Sequence, residues 1–228
     1  MSKIKIAIIV AGGAGIRMQA PIPKQFIELQ GKPILMHTLE SFHRYSGAIQ
    51  LILVLPSVQI NFWKELCTIH SFNIQHQIVI GGKTRYESVK NALKIIQIKS
   101  LVAVHDGVRP FVSNDTIARC FEEAENHGSA IPVMNLEESI RHITENSSES
   151  IDRTAYKIVQ TPQVFDSEII KKAYEQNFSA MFTDDASVVE ASGIEIHLVE
   201  GNRENIKITT GFDLEIAETI LKSKKFKA

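Results

Sequence analysis

Residues 4–18 read Ile4-Lys-Ile-Ala-Ile-Ile-Val-Ala-Gly-Gly-Ala-Gly-Ile-Arg-Met18, and this stretch indicates both the fold and the chemistry. The apolar run that ends at Val10 predicts a buried strand. The glycines after it permit a tight turn and expose backbone N–H groups, and a nest of such groups binds phosphate oxygens. Arg17 and Lys24 add two cations beside this loop, where charge develops during phosphoryl or nucleotidyl transfer. The stretch therefore indicates a nucleoside triphosphate site.

Glycine loops after a first strand are common in α/β proteins, so the type of loop matters. This loop lacks the Gly-x-x-x-x-Gly-Lys-Ser/Thr pattern of a Walker A motif. A dinucleotide-binding loop would run directly into a helix, whereas here Pro21 and Pro23 favour an extended or looped backbone. The loop is thus predicted to be long and to wrap a ligand, as in a transferase that holds a triphosphate.

The composition is that of an ordinary globular protein, and the 228 residues favour one domain spanning 1–228. A net charge of −1 gives no general attraction to nucleic acid or to an anionic membrane, so we expect neither partner. Cys67 and Cys120 form no Cys-x-x-Cys pattern and are expected to be buried thiols in a cytoplasmic protein. We expect no signal peptide and no membrane span, since no apolar run reaches ~20 residues.

Apolar runs and helical patterns alternate along the chain, which predicts an α/β fold with a mostly parallel sheet and helices on both faces. In 84–97, Tyr86, Val89, Leu93 and Ile96 fall on one helical face. Ligands bind such sheets beyond the carboxyl ends of the strands. The predicted strands are 4–10, 49–55, 74–80, 101–105, 129–134, 194–199 and 205–209. The predicted helices are 33–45, 57–70, 84–97, 114–127, 167–177, 184–192 and 212–222.

The alternation breaks at residues 137–158, where short charged segments flank a polar turn at 144–149. This pattern predicts a projecting β-hairpin, called the arm below, with Arg153 on its outgoing strand. An isolated hairpin is only marginally stable, so we expect the arm to pack on a second subunit of a homodimer. A mobile surface loop is the alternative.

Asp106 and Arg109 follow the predicted strand 101–105 and so lie at the ligand-binding edge of the sheet. A carboxylate at a strand end is suited to hold Mg²⁺, and an arginine three residues further can meet an anionic substrate. A turn-capping aspartate and a surface arginine would give the same pattern, so these residues alone leave the role open.

The segment Gly81-Gly-Lys-Thr-Arg-Tyr-Glu-Ser88 joins a predicted strand to a predicted helix. Its glycines permit a base or ribose to approach the backbone. Thr84 and Glu87 have the spacing of a capping box, which is a structural role. Arg85 and Ser88 are therefore the better ligand candidates.

Three later residues have weaker signals. Arg153 could be a solvated charge or could reach a phosphate, including one in another subunit. Thr183 belongs to Thr-Asp-Asp, which suits a helix N-terminus or a contact with a substrate hydroxyl. Lys207 is predicted to lie in the short strand 205–209, where an isolated lysine is usually exposed.

Taken in order, the motifs resemble the 2-C-methyl-D-erythritol 4-phosphate cytidylyltransferases of the non-mevalonate isoprenoid pathway. Ala-Gly-Gly-x-Gly-x-Arg-Met with Pro-Lys-Gln is followed by Gly-Gly-x-x-Arg-x-x-Ser, His-Asp-x-x-Arg-Pro, Asp-Arg, Thr-Pro-Gln, Thr-Asp-Asp-Ala-Ser and Asn-Ile-Lys-Ile-Thr. The similarity extends from residue 4 to about residue 221. One departure lies in the arm, where this chain has Glu138-Ser139 and the family usually has Asp-Thr.

The resemblance implies a Rossmann-like nucleotidyltransferase fold and a reaction in which CTP and methylerythritol phosphate give the CDP-alcohol and pyrophosphate. It implies Mg²⁺ or a similar cation as cofactor, held by Asp106. It assigns catalysis to Arg17, Lys24, Arg153 and Lys207, nucleotide binding to Ala11, Gly12, Gly13, Ala14, Gly15, Gly82, Arg85, Ser88 and Asp106, and substrate binding to Arg109, Ser139 and Thr183.

Three other functions share part of this pattern. A pentitol 5-phosphate cytidylyltransferase has the same early motifs, although Thr183-Asp-Asp-Ala-Ser favours methylerythritol phosphate. An enzyme that makes NDP-sugars shares only the glycine loop. A regulatory nucleotide-binding module without catalysis is opposed by the joint presence of Arg17, Lys24, Asp106 and Lys207.

Overall fold

The computed structural model describes residues 3–13 and 22–223. Ala14, Gly15 and Arg17, all predicted to be site residues, lie outside this part of the chain. The described strands are β1 Ile4–Val10, β2 Glu28–Leu29, β3 Lys32–Pro33, β4 Gln50–Leu55, β5 Gln77–Ile80, β6 Ser100–Asp106, β7 Ser129–Asn135, β8 Arg141–Ile143, β9 Ser148–Ser150, β10 Lys157–Val159, β11 Gln163–Asp166 and β12 Leu198–Glu200.

Within the described residues, eight strands form one sheet in the order β10-β7-β11-β6-β1-β4-β5, with β12 paired to β7. β1 lies in the middle and is parallel to both β4 and β6. Only β10 and β11 run antiparallel to their neighbours. The predicted mostly parallel α/β sheet is therefore confirmed, and β1 and β6 end side by side, with Val10 paired to Asp106.

Helices cover both faces of the sheet, as predicted. Alternate residues of β1 point to opposite faces because the side-chain period of a strand is two. The helices are α1 Ile34–Tyr45, α2 Ile60–Ile69, α3 Arg85–Lys94, α4 Asn114–His127, α5 Ser167–Ala173, α6 Asp185–Glu190 and α7 Gly211–Lys222. Because of the alternation in β1, Ala7 and Ile9 pack in one core with α1, α2 and α4, while Ile6 and Ile8 pack in the other with α3, α5 and α6.

Several strand assignments differ from the sequence prediction, and two of the differences fall in the motifs. The segment 205–209 is not a strand: Ile208 donates its N–H to the carbonyl of Val108 but makes no ladder with a neighbour. Gln163, the last residue of the Thr-Pro-Gln motif and in no predicted strand, begins β11. This strand was missed because its apolar run is only Val164 and Phe165, too short to show a period, and its place in the sheet depends on pairing with distant β6 and β7.

The arm contains the predicted hairpin, formed by β8 and β9, and its residues are exposed. Its outgoing strand is shorter than predicted, because residues 153–155 form a turn of 3₁₀ helix and β10 returns to the main sheet beside β7. Arg153 therefore lies in this turn and not on a strand. In the described part of the chain, no helix is long and apolar enough to cross a membrane.

Candidate active site

A cavity of about 300 Å³ lies at the carboxyl ends of β1 and β6, where a parallel α/β sheet binds its ligands. The start of the glycine loop, the N-terminus of α3 and the loop after β12 surround it. The lining residues are Val10, Ala11, Gly12, Gly13, Lys24, Gln25, Gly82, Lys83, Thr84, Arg85, Ser88, Asp106, Val108 and Lys207.

The glycine loop leaves β1 with Lys24 beside it. A methyl group on Gly13 would lie 3.4 Å from Cε of Lys24, so the lysine side chain passes directly over this glycine. Gln25 is almost fully buried, and its Nε2 donates to the carbonyl of Ala11 at 2.8 Å and to Oε1 of Gln59 at 2.7 Å. Gln25 therefore anchors the start of the loop, and Lys24 brings a positive charge to it.

The turn before α3 is held by its own side chains. Glu87 accepts from the N–H groups of Lys83 and Thr84 at 2.6 and 3.2 Å, and Thr84 accepts from Glu87, which confirms the predicted capping box. Ser88 accepts from the N–H of Gly82 at 3.1 Å and donates to the carbonyl of Thr84 at 2.8 Å. A Cβ on Gly82 would meet Cβ of Glu87 at 2.3 Å, so the tight turn requires a glycine there.

Asp106 is the charged centre of the cavity. Its Oδ2 lies 3.0 Å from Nζ of Lys207 and 3.2 Å from Nε of Arg109, and its Oδ1 lies 3.8 Å from Nε of Arg85. Burial alone would raise the pKa of this carboxyl, but the cations of Arg85, Lys207 and Arg109 outweigh burial and hold the pKa well below its usual value. Asp106 is therefore ionised and groups three cations at the end of β6.

Arg85 also binds a second carboxylate. Its Nη2 lies 2.6 Å from Oδ2 of Asp185, which is fully buried at the start of α6 and accepts from the hydroxyl of Tyr174 at 2.6 Å. Burial opposes the charge of Arg85, yet Asp185 and Asp106 hold its pKa above the usual value. The guanidinium is thus held between two carboxylates at the cavity wall.

The structure brings most of the predicted site residues together. The cavity lining includes Ala11, Gly12, Gly13, Lys24, Gly82, Arg85, Ser88, Asp106 and Lys207. Arg109 adjoins it through Asp106. Ser139, Arg153 and Thr183 are exposed residues outside the lining, and Arg153 donates to the backbone carbonyl of Glu137 in its own arm.

Sequence reasoning gave no ligand or positioning role to Gln25 and did not identify the partner of Arg85. Gln25 is part of the Pro-Lys-Gln motif, but a single glutamine has no periodic signal that would indicate a role. Asp185 was grouped with a helix N-terminus; Asp184 is the residue that caps α6, while Asp185 pairs with Arg85 a hundred residues away in sequence. Such a pair has no spacing by which a sequence could reveal it.

A larger cavity, of about 550 Å³, lies at the opposite edge of the sheet, between the starts of β4 and β5 and the end of α3. Its lining is mainly isoleucine and glutamine, and His76 is its one titratable side chain. It contains no lysine, arginine, aspartate or glutamate. The smaller cavity has the charges that a phosphorylated ligand needs, so it is the candidate active site.

A glycine loop and converging cations at the carboxyl edge of a mostly parallel sheet are the arrangement expected of a nucleotidyltransferase. The crystal structure of 4-diphosphocytidyl-2C-methyl-D-erythritol synthase from Anaerococcus prevotii matches the chain with a TM-score of 0.83 at 29% identity, covering 97% of each chain. Residues 5–223 match the family described as 2-C-methyl-D-erythritol 4-phosphate cytidylyltransferase. The chain therefore belongs to the 2-C-methyl-D-erythritol 4-phosphate cytidylyltransferase family.

Curated relatives agree with this assignment. A protein of Bacteroides thetaiotaomicron with this family's name is 57% identical over 214 residues, covering 94% of this chain and 98% of the relative. One of Porphyromonas gingivalis is 46% identical over 224 residues, covering 98% and 100%. The predicted family and activity are confirmed: the chain is a nucleotidyltransferase that joins CTP and 2-C-methyl-D-erythritol 4-phosphate to give 4-diphosphocytidyl-2-C-methyl-D-erythritol in isoprenoid precursor synthesis.

Proposed function

We propose that cytidylyl transfer takes place in the cavity at the ends of β1 and β6, with CTP on the side of the glycine loop and methylerythritol phosphate on the side of Lys207. The observation that carries this proposal is the grouping of Lys207, Arg109 and Arg85 around Asp106, opposite Lys24. Cations on both sides of one cavity suit a reaction between two phosphorylated substrates.

On the nucleotide side, the backbone of residues 11–15 cradles the triphosphate, and Arg17 and Lys24 stabilise the α-phosphate. The turn at Gly82 with Arg85 and Ser88 forms the cytidine pocket. The position of Lys24 against Gly13 supports this arrangement, because the cation lies where a phosphate bound to the loop would be.

On the acceptor side, Lys207 and Arg109 bind the phosphate of methylerythritol phosphate, with Ser139, Thr183 and Arg153 completing the site. A phosphate oxygen of the acceptor attacks the α-phosphorus in line, a new P–O bond forms, and the bond to the β-phosphate breaks as pyrophosphate leaves with the electron pair. No covalent enzyme intermediate is required, so the protein acts by positioning and by stabilising charge.

Mg²⁺ fits this site as a cation that is bound together with the nucleotide. Among the described residues no group of three or more His, Cys, Asp or Glu could hold a metal, and Asp106 is the one carboxylate in the cavity lining. Mg²⁺ is commonly bound by one or two carboxylates together with substrate phosphates. We therefore propose Asp106 as its protein ligand, with the triphosphate providing the others; when bound, the ion neutralises charge on the triphosphate.

The arm at 137–158 is proposed to form the interface of a cytoplasmic homodimer and to bring Arg153 into the partner's site. Ile143 and Ile158 are 69% and 51% exposed, so the arm and its return strand present apolar surface. Arg153 contacts Glu137 of its own arm and is not among the cavity residues, which supports a role across the interface.

The direct test measures CTP-dependent pyrophosphate release with methylerythritol phosphate and, separately, with ribitol 5-phosphate. We expect rapid release only with methylerythritol phosphate, and loss of release in Lys207→Ala. Lys99→Ala is the matched control, since Lys99 is an exposed lysine paired with Glu168 outside the cavity. Equal rates with ribitol 5-phosphate would favour the pentitol alternative, and full activity of Lys207→Ala would contradict the proposed acceptor site.

A further inference from the structure

Arg109 and Lys207, two of the cations around Asp106, lie on separate loops, and their separation depends on what holds these loops together. Asp106 is the last residue of β6 and Arg109 lies in the turn that follows, whereas Lys207 lies in the loop between β12 and α7. A salt bridge such as that of Lys207, whose side chain is 42% exposed, is by itself too weak to fix the distance between two loops. The buried polar residues beneath these charges provide a firmer connection.

His105 is fully buried and uses both ring nitrogens. Its Nε2 lies 3.0 Å from the carbonyl of Arg109, which can only accept, so Nε2 carries the hydrogen. Its Nδ1 lies 3.0 Å from Oγ1 of Thr161 and accepts from that hydroxyl. The same Oγ1 accepts from the N–H of Asp106 at 3.2 Å. The neutral imidazole therefore connects both ends of the turn 106–109 to Thr161.

Asn205 connects the second loop to the same residue. It is fully buried, and its Nδ2 donates to the carbonyl of Thr161 at 2.8 Å and to Oε1 of Gln160 at 3.3 Å. Its own backbone carbonyl accepts from Nη1 of Arg109 at 2.8 Å. Thr161 thus binds the turn after β6 through hydrogen bonds of its hydroxyl, and it binds the Lys207 loop through its backbone carbonyl.

We propose that His105 and Asn205 are positioning residues that set the separation of Arg109 and Lys207 by binding their two loops to Thr161. The inference rests on the proposed acceptor-binding role of Arg109 and Lys207. Neither His105 nor Asn205 is in the cavity lining, so each acts through the residues it holds. Loosening either connection lets the two cations separate, which weakens binding of the acceptor phosphate more than binding of CTP.

The test compares His105→Phe and Asn205→Ala by steady-state kinetics. Phenylalanine keeps a ring to pack on Phe42, 4.9 Å away, but removes both hydrogen bonds. We expect KM for methylerythritol phosphate to rise about tenfold in each variant, the size of one weakened charge-assisted contact. KM for CTP should change less than about threefold. His105→Gln keeps an Nε2-like donor and should recover part of the loss.

The control is Ser100→Ala, a fully buried polar residue at the opposite end of β6 whose hydroxyl donates to Ile98. It should lower the melting temperature without moving either KM. The double variant of His105 and Asn205 should lose less than the product of the single losses, because both connections meet at Thr161. If His105→Phe does not fold, Asn205→Ala, which breaks the second connection to Thr161, tests the proposal by itself.

If His105 and Asn205 had a purely structural role, their variants would behave like Ser100→Ala: the melting temperature would fall and both KM values would stay unchanged. That result would overturn the proposal. Lys207→Ala separates this failure from a failure of the proposed acceptor site. If Lys207→Ala raises KM for methylerythritol phosphate and the His105 and Asn205 variants do not, only the positioning role is wrong.

Discussion

At the scale of single residues, the site is dominated by one buried carboxylate and the cations around it. Asp106 alone would be costly to ionise at the end of β6, and Lys207, Arg109 and Arg85 remove that cost. In return, the carboxylate holds three cations close together before any substrate binds. Such preorganisation favours charge stabilisation during transfer, because the groups need little rearrangement.

Lys24→Ala should lower kcat more than it raises KM for CTP. The proposed role of Lys24 is to stabilise charge at the α-phosphate, which is largest in the transition state. Losing one such contact costs about 3–4 kcal/mol, or about 10²–10³ in rate. Single-turnover kinetics at saturating CTP would measure the loss, with Lys99→Ala as the control. A variant that changed only KM would indicate ordinary ground-state binding.

Because His105 is buried, the free energy of unfolding should fall in mild acid. Burial lowers the pKa of His105 to about 4, against 6.5 for an exposed histidine, so only the unfolded chain takes up this proton in between. The stability due to His105 is complete above about pH 6.5 and is lost as the pH falls from there to about 4, by up to about 3 kcal/mol.

Urea unfolding between pH 7 and pH 4 would measure this effect, with His105→Gln for comparison. The variant should have a shallower loss of unfolding free energy over that range. Equal slopes in the two proteins would contradict the prediction and would assign the acid sensitivity to other groups, such as His37 and His76, whose pKa values burial also lowers.

At the scale of secondary structure, the turn before α3 shows how a helix cap can shape a binding pocket. Glu87 satisfies the N–H groups of Lys83 and Thr84, and Ser88 satisfies that of Gly82. The helix could form with a simpler cap, but the backbone between β5 and α3 would then be free to move. The cap therefore serves both the helix and the proposed cytidine pocket.

Glu87→Ala should cost about 1 kcal/mol of unfolding free energy, as loss of a cap usually does, and should raise KM for CTP several-fold. The control is Asp166→Ala, which removes the cap of α5. We expect a similar stability loss in the control with KM for CTP unchanged. If both variants left KM unchanged, the cap would have no part in nucleotide binding.

At the scale of the whole molecule, the arm stands out because its hairpin has no hydrophobic core within a single chain. Its hairpin residues are exposed, and Arg153 donates to the backbone carbonyl of Glu137 in its own arm. A two-fold dimer that pairs identical arms is the commonest closed assembly. Residues 137–158 as a dimer interface remain a prediction, as does the placement of 1–228 in a single domain.

Mixing Arg153→Ala with Lys24→Ala should restore activity if Arg153 works across the interface. One site of each mixed dimer then carries both changes and the other carries neither. Random exchange makes about half of the dimers mixed, so about a quarter of wild-type activity should return. Sedimentation would verify the dimer, and labelled subunits would verify exchange. No recovery despite exchange would place Arg153 in its own subunit's site or outside catalysis.

The features whose cause is local could be predicted from the amino-acid sequence alone. The alternation of apolar runs and helical patterns predicted the sheet and its helices, since the buried side chains of each element recur with the period of that element. Thr84 and Glu87 were identified as a cap because both partners lie within one helical turn. Lys24, Arg85 and Asp106 were found as candidates because each follows a predicted strand in a recognisable motif, and position at the carboxyl edge follows from a parallel sheet.

Which distant groups meet could not be predicted, because it depends on how the whole chain folds. Asp185 reaches Arg85, and His105 and Asn205 meet at Thr161, across separations that no spacing encodes. The segment 205–209 around Lys207 was predicted to be a strand, yet it is an irregular loop that makes no ladder with a neighbouring strand. Hydrogen-bond partners in a sheet and charge pairs in a buried site depend on the packing of the whole chain, and this packing exists only once the chain has folded.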